Sequence, residues 1–368
     1  MKHFLATAVI VAVLAGTASA QIVVGQTASF TGPVAAGVKE AAEGAKLYID
    51  AVNARGGVNG QTIELLSVDD KFDPKLTVEN ARKLIVENKV VALFLVRGTP
   101  QNLALMPLLA EYRIPLIAPS TGAMALHEPV NPYIFNVRAS YQVEAERAVQ
   151  HLSLVGLDRI AVLQVDDSFG ADVVIGVHAG FKAVDKKPVL LEKFARVKPD
   201  FGPAAALVAK SNAQAVLFIG SGTIVADGTK AIRAAGSRAQ IVTLSNNASG
   251  GFIKDMGDNA RGTIVSQVFP YERSIASPLV KEAKEYAKAK NIEDISPALI
   301  EGYAAAKVLV EGLRRAGANP TREKLIAALN GLRKFDIGGM EVSYSPANHT
   351  GLRFVDLSII GPDGKFRR

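Results

Sequence analysis

The chain has no cysteine among its 368 residues. That excludes disulfides, thiolate chemistry and a lipid anchor on a terminal cysteine. Long apolar runs are missing as well: beyond the first twenty residues, none approaches the roughly 20 apolar residues of a membrane-spanning helix. A strong charge of one sign is absent too. The formal net charge is +7, and basic residues are interleaved with acids, as in KEAKEYAKAK at 281–290. Such a stretch is a solvated helix face, which argues against nucleic acid as a partner. Histidine is sparse. His3, His127, His151, His178 and His349 are the five, and none pairs with another at metal-ligand spacing, so neither a metal nor a cofactor is expected. Catalytic signatures are also lacking. Gly220-Ser221-Gly222 is too short for a hydrolase elbow and lacks the third glycine of a dinucleotide loop; a P-loop motif is absent. Asp166-Asp167 has the residue types of a general acid–base pair, but its place reads as a strand end. The chain is therefore not expected to be an enzyme.

What is present is a core-forming composition, with 49% hydrophobic and 21% charged residues, at a length that suits two domains. The first twenty residues have the order of a secretory signal peptide. Lys2-His3 is the polar start, Phe4 to Leu14 the apolar core, and Ala18-Ser19-Ala20 the cleavage site. An exported, periplasmic chain beginning near Gln21 is expected.

Further on, short continuous apolar runs recur: QIVVGQ (21–26), IELLSV (63–68), VVALFLV (90–96), IPLIAP (114–119), RIAVLQV (159–165), AVLFIG (215–220) and QIVTLS (240–245). Runs of this kind suit parallel strands covered on both faces. Helical segments lie between them. EAAEGAKLYIDAVNARGG (40–57) ends on a glycine pair, and DPKLTVENARKLIVEN (73–88) opens with Asp73 as cap and Pro74 in the first turn. The alternation predicts an α/β doubly wound fold.

The pattern occurs twice. In the first half, strands empty into SFTG (29–32), RGTP (97–100) and PSTG (119–122); in the second, into DDSFG (166–170), GSGT (220–223) and SNNASG (245–250). Two similar lobes are implied, each presenting strand-end loops rich in Ser, Thr, Asn and Gly. In open α/β sheets, ligands bind outside the carboxyl ends of the strands. Glycine lets the backbone approach a ligand, and hydroxyls both donate and accept. Two such edges face to face make a cleft. The tail adds helices at 277–290 and 297–317, then alternating segments at 338–345 and 352–366 with a Pro-Asp-Gly hairpin turn at 362–364.

TGPVAAGVKEAAEGAKLYIDAVNARGGVNGQTIELLSVDDKFDPKLTVENARKLI (31–85) and DDSFGAD (166–172) together resemble the periplasmic solute-binding proteins of ABC transporters. The likeness is to the leucine/isoleucine/valine-binding family, with its type I periplasmic-binding fold. It implies two lobes joined by three crossovers, with lobe I at 21–139 plus 270–343 and lobe II at 140–269 plus 344–368. It also implies a small-molecule ligand, a membrane permease as partner, and a chain working as a monomer.

By the same resemblance the ligand's carboxylate would be held by Arg97-Gly98-Thr99 and Ser120-Thr121-Gly122, with Phe169 closing from the second lobe. Ser221-Gly222, Asn246 and Asn247 would line the opposite wall, and Tyr271 would sit at a crossover as hinge, rim or contact. Two departures bear on the ligand. Where leucine-type members carry an acid for the ligand's ammonium, this chain reads Ser245-Asn246-Asn247. A buried ammonium without a carboxylate partner is costly. Arg97 meanwhile adds a cation at the carboxylate end, where a bidentate pair exceeds neutral hydrogen bonds. The preferred ligand is therefore a carboxylate with no obligatory amine, an aromatic acid or a branched oxo-acid. Branched-chain amino acid binding is the alternative. A periplasmic enzyme or a ligand-sensing receptor module is the alternative of another class.

Overall fold

A computed structural model describes residues 21–368; the expected signal peptide and its cleavage site lie outside the described residues. The first half runs β1 (Ile22–Ala28), α1 (Ala35–Ala54), β2 (Ile63–Asp69), α2 (Pro74–Val86), β3 (Leu93–Phe94), α3 (Thr99–Tyr112), β4 (Leu116–Ile117) and β5 (Ile134–Phe135). Its strands form one parallel sheet in the order β2-β1-β3-β4-β5. The second half runs α4 (Tyr141–Leu154), β6 (Ile160–Val165), α5 (Ser168–Ala183), β7 (Leu190–Phe194), α6 (Gly202–Lys210) and β8 (Ala215–Ile219). It continues through α7 (Thr223–Ala234), β9 (Gln240–Thr243), α8 (Gly250–Met256) and β10 (Ile264–Gln267). Strands β7-β6-β8-β9-β10 repeat the order of the first sheet, all parallel. The internal repeat legible in the loops is thus a repeat of topology. In each sheet the order reverses beside the first strand of the half, the place where a doubly wound sheet opens a crevice.

The tail returns to both lobes. Helices α9 (Pro278–Ala289), α10 (Pro297–Ala316) and α11 (Arg322–Asn330) pack into the core of the first sheet, where Leu279, Tyr303 and Leu325 are buried against α1 and its neighbours. A small ladder of β11 (Phe335–Asp336) and β12 (Glu341–Val342) follows. Then β13 (Asp356–Ile360) joins the second sheet antiparallel to β10, and β14 (Phe366–Arg367) closes a hairpin upon it through the expected Pro-Asp-Gly turn. The last crossover falls later than expected. Tyr344 and Leu352 are buried in the first core, not the second. The reason is hydrogen bonding to the first crossover: the Tyr344 hydroxyl donates to the Asn136 carbonyl at 2.7 Å, and Leu352 N–H donates to Val137 O at 2.8 Å. Residues 344–352 therefore run beside the first crossover before the chain changes lobes.

Local chemistry explains the helix starts. Asp73 accepts from Lys75 N–H at 2.8 Å ahead of Pro74, as the sequence predicts for α2. Ser140, Ser277, Ser296 and Thr321 cap α4, α9, α10 and α11 in the same way. Two strands are shorter than their apolar runs. Leu95 and Ala118 adopt φ of 53° and 52°, which breaks β3 and β4 after two residues each. A left-handed backbone on a non-glycine residue costs about 1–2 kcal/mol. The two kinks occupy equivalent places on neighbouring strands, and the chains pair again just beyond them, Arg97 opposite Ser120. The paired kinks re-aim both strand ends together.

Candidate functional site

The strand-end loops of the two lobes meet. Thr223 N–H of lobe II donates to Pro33 O of lobe I at 3.1 Å, and Ala298 N–H donates to Ala248 O at 3.0 Å. Glu40 of α1 receives Gly250 and Gly251 N–H, at 3.0 and 2.8 Å, from the start of α8. Between these contacts lies a recess with two adjoining compartments. One, about 260 Å³ with its mouth included, is lined by Arg97, Thr99, Pro100, Tyr141 and Asn246. The other, about 300 Å³, is lined by Pro33, Val165, Phe194 and Ile224. Phe72, Phe169, Arg196 and Ser221 border both. Most of this space belongs to the open mouths: inside, each compartment has room for little more than a single water between the two lobes.

Arg97 is 6% exposed although it carries a full charge. It does not pair with an acid of a neighbouring strand. Its guanidinium donates to Ser120 Oγ at 3.1 Å and, across the cleft, to the Asn246 carbonyl at 2.5 Å. Ser120 in turn donates to Glu301 Oε1 at 2.8 Å. Asp70, the acid nearest in sequence logic, is instead occupied by Ser29, Thr77 and Phe72 N–H. Burial outweighs those hydrogen bonds and raises its pKa above the usual carboxylate value.

Glu301 belongs to a buried ionic group at the crossovers. Arg138, on the first crossover, pairs with Glu144 of α4 and lies 3.9 Å from Glu301 of α10. Glu144 also receives Ser245 N–H at 3.0 Å and Ser266 Oγ at 2.5 Å. Burial disfavours the Arg138 cation, but the two carboxylates prevail and raise its pKa. Arg138 thus has two carboxylates within reach, whereas Arg97 touches this group only through Ser120.

The aromatic side of the recess is built from both lobes. Phe169 is buried and meets Tyr141 edge-on at 4.9 Å between ring centroids. Tyr141 lies under Arg138, 4.6 Å from guanidinium to ring centre. Arg196, on the loop after β7, stands 4.2 Å over the ring of Phe72 from the opposite lobe, a cation–π contact across the cleft. Asp167 pairs with Arg196 on one side, while Arg196 Nη2 is buried without a hydrogen-bond partner. Asp167 also caps α5 through Phe169 and Gly170 N–H, and exposed Asp166 pairs with Lys193 at 2.9 Å. The two aspartates thus cap a helix and form surface or rim pairs.

Of the residues expected from sequence, Arg97, Gly98, Thr99, Phe169, Ser221 and Asn246 border the recess. Ser120 and Thr121 stand behind it: Ser120 supports Arg97, and Thr121 shares a hydrogen bond with Thr99 at 2.8 Å. Gly122 packs against the first crossover, receiving Tyr141 N–H at 2.7 Å. Gly222 and Asn247 line a neighbouring notch, where Asn247 Oδ1 fixes Gly222 N–H at 2.7 Å. Tyr271 is away from the recess; its hydroxyl donates to the Phe366 carbonyl at 2.9 Å, tying the second crossover to β14. Phe72, Tyr141 and Arg196 were missed. Phe72 stood beside the Asp73-Pro74 helix start, which read as structural, and Tyr141 beside the expected lobe boundary at 139/140. Arg196 follows β7, whose sequence LLEKF is interrupted by Glu192-Lys193 and escapes a search for continuous apolar runs.

This architecture and site have known counterparts. Residues 21–357 match the family model described as "Periplasmic binding protein". A Leu/Ile/Val-binding protein homolog 3 from Brucella melitensis is 25% identical over 336 residues, covering 90% of this chain and 89% of that protein. A substrate-binding periplasmic protein from Ralstonia solanacearum superposes with TM-score 0.87 at 33% identity, covering 94% of this chain and 99% of that one. A type 1 periplasmic binding protein from Bordetella pertussis shares the fold, with TM-score 0.85 at 21% identity over 95% and 99% of the two chains. Two parallel lobes of equal strand order with a recess at their strand ends, and the family match over residues 21–357, place the chain in the periplasmic binding protein family.

Proposed function

We propose that this protein captures a small carboxylate between its lobes in the periplasm and delivers it to the membrane subunits of an ABC permease. It would act as a monomer after removal of the segment ending at Ala20. The preferred ligand is an aromatic acid or a branched oxo-acid. One observation carries this reading: among the described residues, those bordering the two compartments include two arginines and four aromatic rings but no acid. An ammonium buried there would lack a carboxylate partner, and that costs several kcal/mol. A carboxylate would find the fork of Arg97, with hydroxyls of Thr99 and Ser221 nearby.

Ligand contacts drawn from both lobes are complete only when the lobes meet. Binding energy then shifts the open–closed balance toward the closed form. The permease would recognise both lobe surfaces in that one arrangement. Branched-chain amino acid binding is the second reading, favoured by the Leu/Ile/Val names of the relatives. Thermal-shift screening separates the two. A bound ligand at 100 times its dissociation constant stabilises by about 2.7 kcal/mol. Stabilisation by amine-free aromatic or oxo-acids is expected; stabilisation by leucine or valine with no response to any amine-free acid would overturn the preference.

A further inference from the structure

Two carboxylates outside the recess reach from one lobe to the other. Glu40, on α1 of lobe I, accepts Gly250 and Gly251 N–H at 3.0 and 2.8 Å, the first donors of α8 in lobe II. Ser249, in α8's own lobe, takes only the next donor, Phe252 N–H. Asp172, on α5 of lobe II, accepts Met124 N–H at 3.0 Å, the first donor of a single turn at Met124–Leu126 in lobe I, and Ala123 before it supplies no side-chain cap. The two contacts occupy equivalent places. Helices α1 and α5 follow β1 and β6, the capped segments follow β9 and β4, and in the repeated strand order β1 matches β6 and β4 matches β9. Each lobe thus gives one acid and receives one. The approach at Glu40 is close: a Cβ on Gly251 would lie 2.1 Å from Ala36 Cβ of α1.

We propose that Glu40 and Asp172 are reciprocal latches that bias the lobes toward closure before a ligand arrives. The inference rests on the lobe-closure reading but not on any choice of ligand. A carboxylate on otherwise unpaired N–H groups makes charge-assisted hydrogen bonds. When the lobes part, acids and donors return to water, so these bonds count only toward the closed arrangement. Both acids are positioning residues: neither borders the two compartments. Their contributions are separate, since α1 packs mainly on α8, α9 and α10, and α5 on α3 and α4. Glu40, with two donors, is the stronger latch. Asp172 also accepts from Gln142 of its own lobe at 2.9 Å and keeps its other oxygen buried without a partner, which offsets part of its gain on closure.

The lack of native cysteine lets spin labels read the balance directly. They are attached at Glu79→Cys on α2 and Ala206→Cys on α6, exposed positions on the helices that follow the edge strands β2 and β7. The protein is stripped of carried-over ligand by unfolding and refolding, and double electron–electron resonance then gives the ratio of short to long distances between the lobes. Gly222→Ala, whose Cβ would lie 1.7 Å from Pro33 O of the other lobe, marks the long distance. The labelled parent is expected to show a short-distance population. Glu40→Gln is expected to lower the short-to-long ratio about tenfold, Asp172→Ala about threefold, and the double variant by about the product. Circular dichroism melts check folding, and Asp172→Asn serves if the alanine variant melts early. A parent with only the long distance, or ratios unchanged in the variants while Gly222→Ala still shifts, overturns the latches and leaves closure around ligand standing. A loss in Glu40→Gln that no Asp172 variant shares overturns the reciprocal pairing. Only the short distance in every protein, Gly222→Ala included, overturns lobe closure as well.

Discussion

Arg97 lies where a cation is expensive, at the end of a buried strand, yet it is held by Ser120 on its own lobe and by the Asn246 carbonyl on the other. Neither partner is charged, so the guanidinium retains the capacity for an anion. Arg97→Ala is expected to weaken a carboxylate ligand by about 1.5–3 kcal/mol, read by calorimetric titration. Unchanged affinity would assign Arg97 to structure alone. The neighbouring ionic group should behave differently. Glu144 is the close partner of Arg138, and both are fully buried. Glu144→Gln leaves a cation with only a distant carboxylate, and breaking such a pair costs about 3–5 kcal/mol, measurable as a loss of stability in urea. Arg97 and Phe169 were legible in the sequence because each interrupts its surroundings, a cation after an apolar run and a ring inside a polar loop. Arg138, Glu144 and Glu301 were not. They sit on a crossover and on two helices, and only the folded chain brings them together. For Tyr271, expected as hinge, rim or contact, the hydroxyl turns to Phe366 and away from the recess, which matches the hinge alternative.

At the scale of elements, the continuous apolar runs found the central strands because those strands are covered on both faces. Strands β6 and β8, for example, are buried along their whole length. Edge strand β7 is half-exposed, its apolar run is broken by Glu192-Lys193, and with it the loop carrying Arg196 was lost. The runs also overstated β3 and β4, since hydrophobicity says nothing of the left-handed turns at Leu95 and Ala118. The second crossover holds a titratable group. Glu272 is 4% exposed, one of its oxygens has no hydrogen-bond partner, and burial pushes its carboxyl up to about 7, with Arg273 and Lys284 opposing and Asp294 adding to the rise. A folded pKa above the unfolded one favours folding while the group is protonated. That contribution is complete below about 4.5 and is lost as pH rises through about 7. Glu272→Gln should therefore melt near the parent at pH 4.5 and be more stable by about 1–3 kcal/mol at pH 8. Parallel melting curves at both pH values would show that Glu272 titrates normally.

The whole molecule is two copies of one topology brought together at their strand ends. Closure depends on close backbone approach. Gly222 has φ of 55°, and a Cβ placed there would lie 1.7 Å from Pro33 O on the other lobe. Gly222→Ala is thus expected to hold the lobes apart, giving a larger radius of gyration in solution scattering with saturating ligand than the parent shows. The same compact radius in both proteins would mean that closure does not pass through this contact. Ligand choice turns on a recess that accepts a carboxylate and refuses an amine. Calorimetric titration with 3-phenylpropanoate and L-phenylalanine, which share one carbon skeleton and differ by the ammonium, tests this most directly. The acid is predicted to bind on the order of a hundredfold tighter, because the ammonium has no carboxylate to meet. Tight binding of phenylalanine with no detectable binding of phenylpropanoate would contradict it.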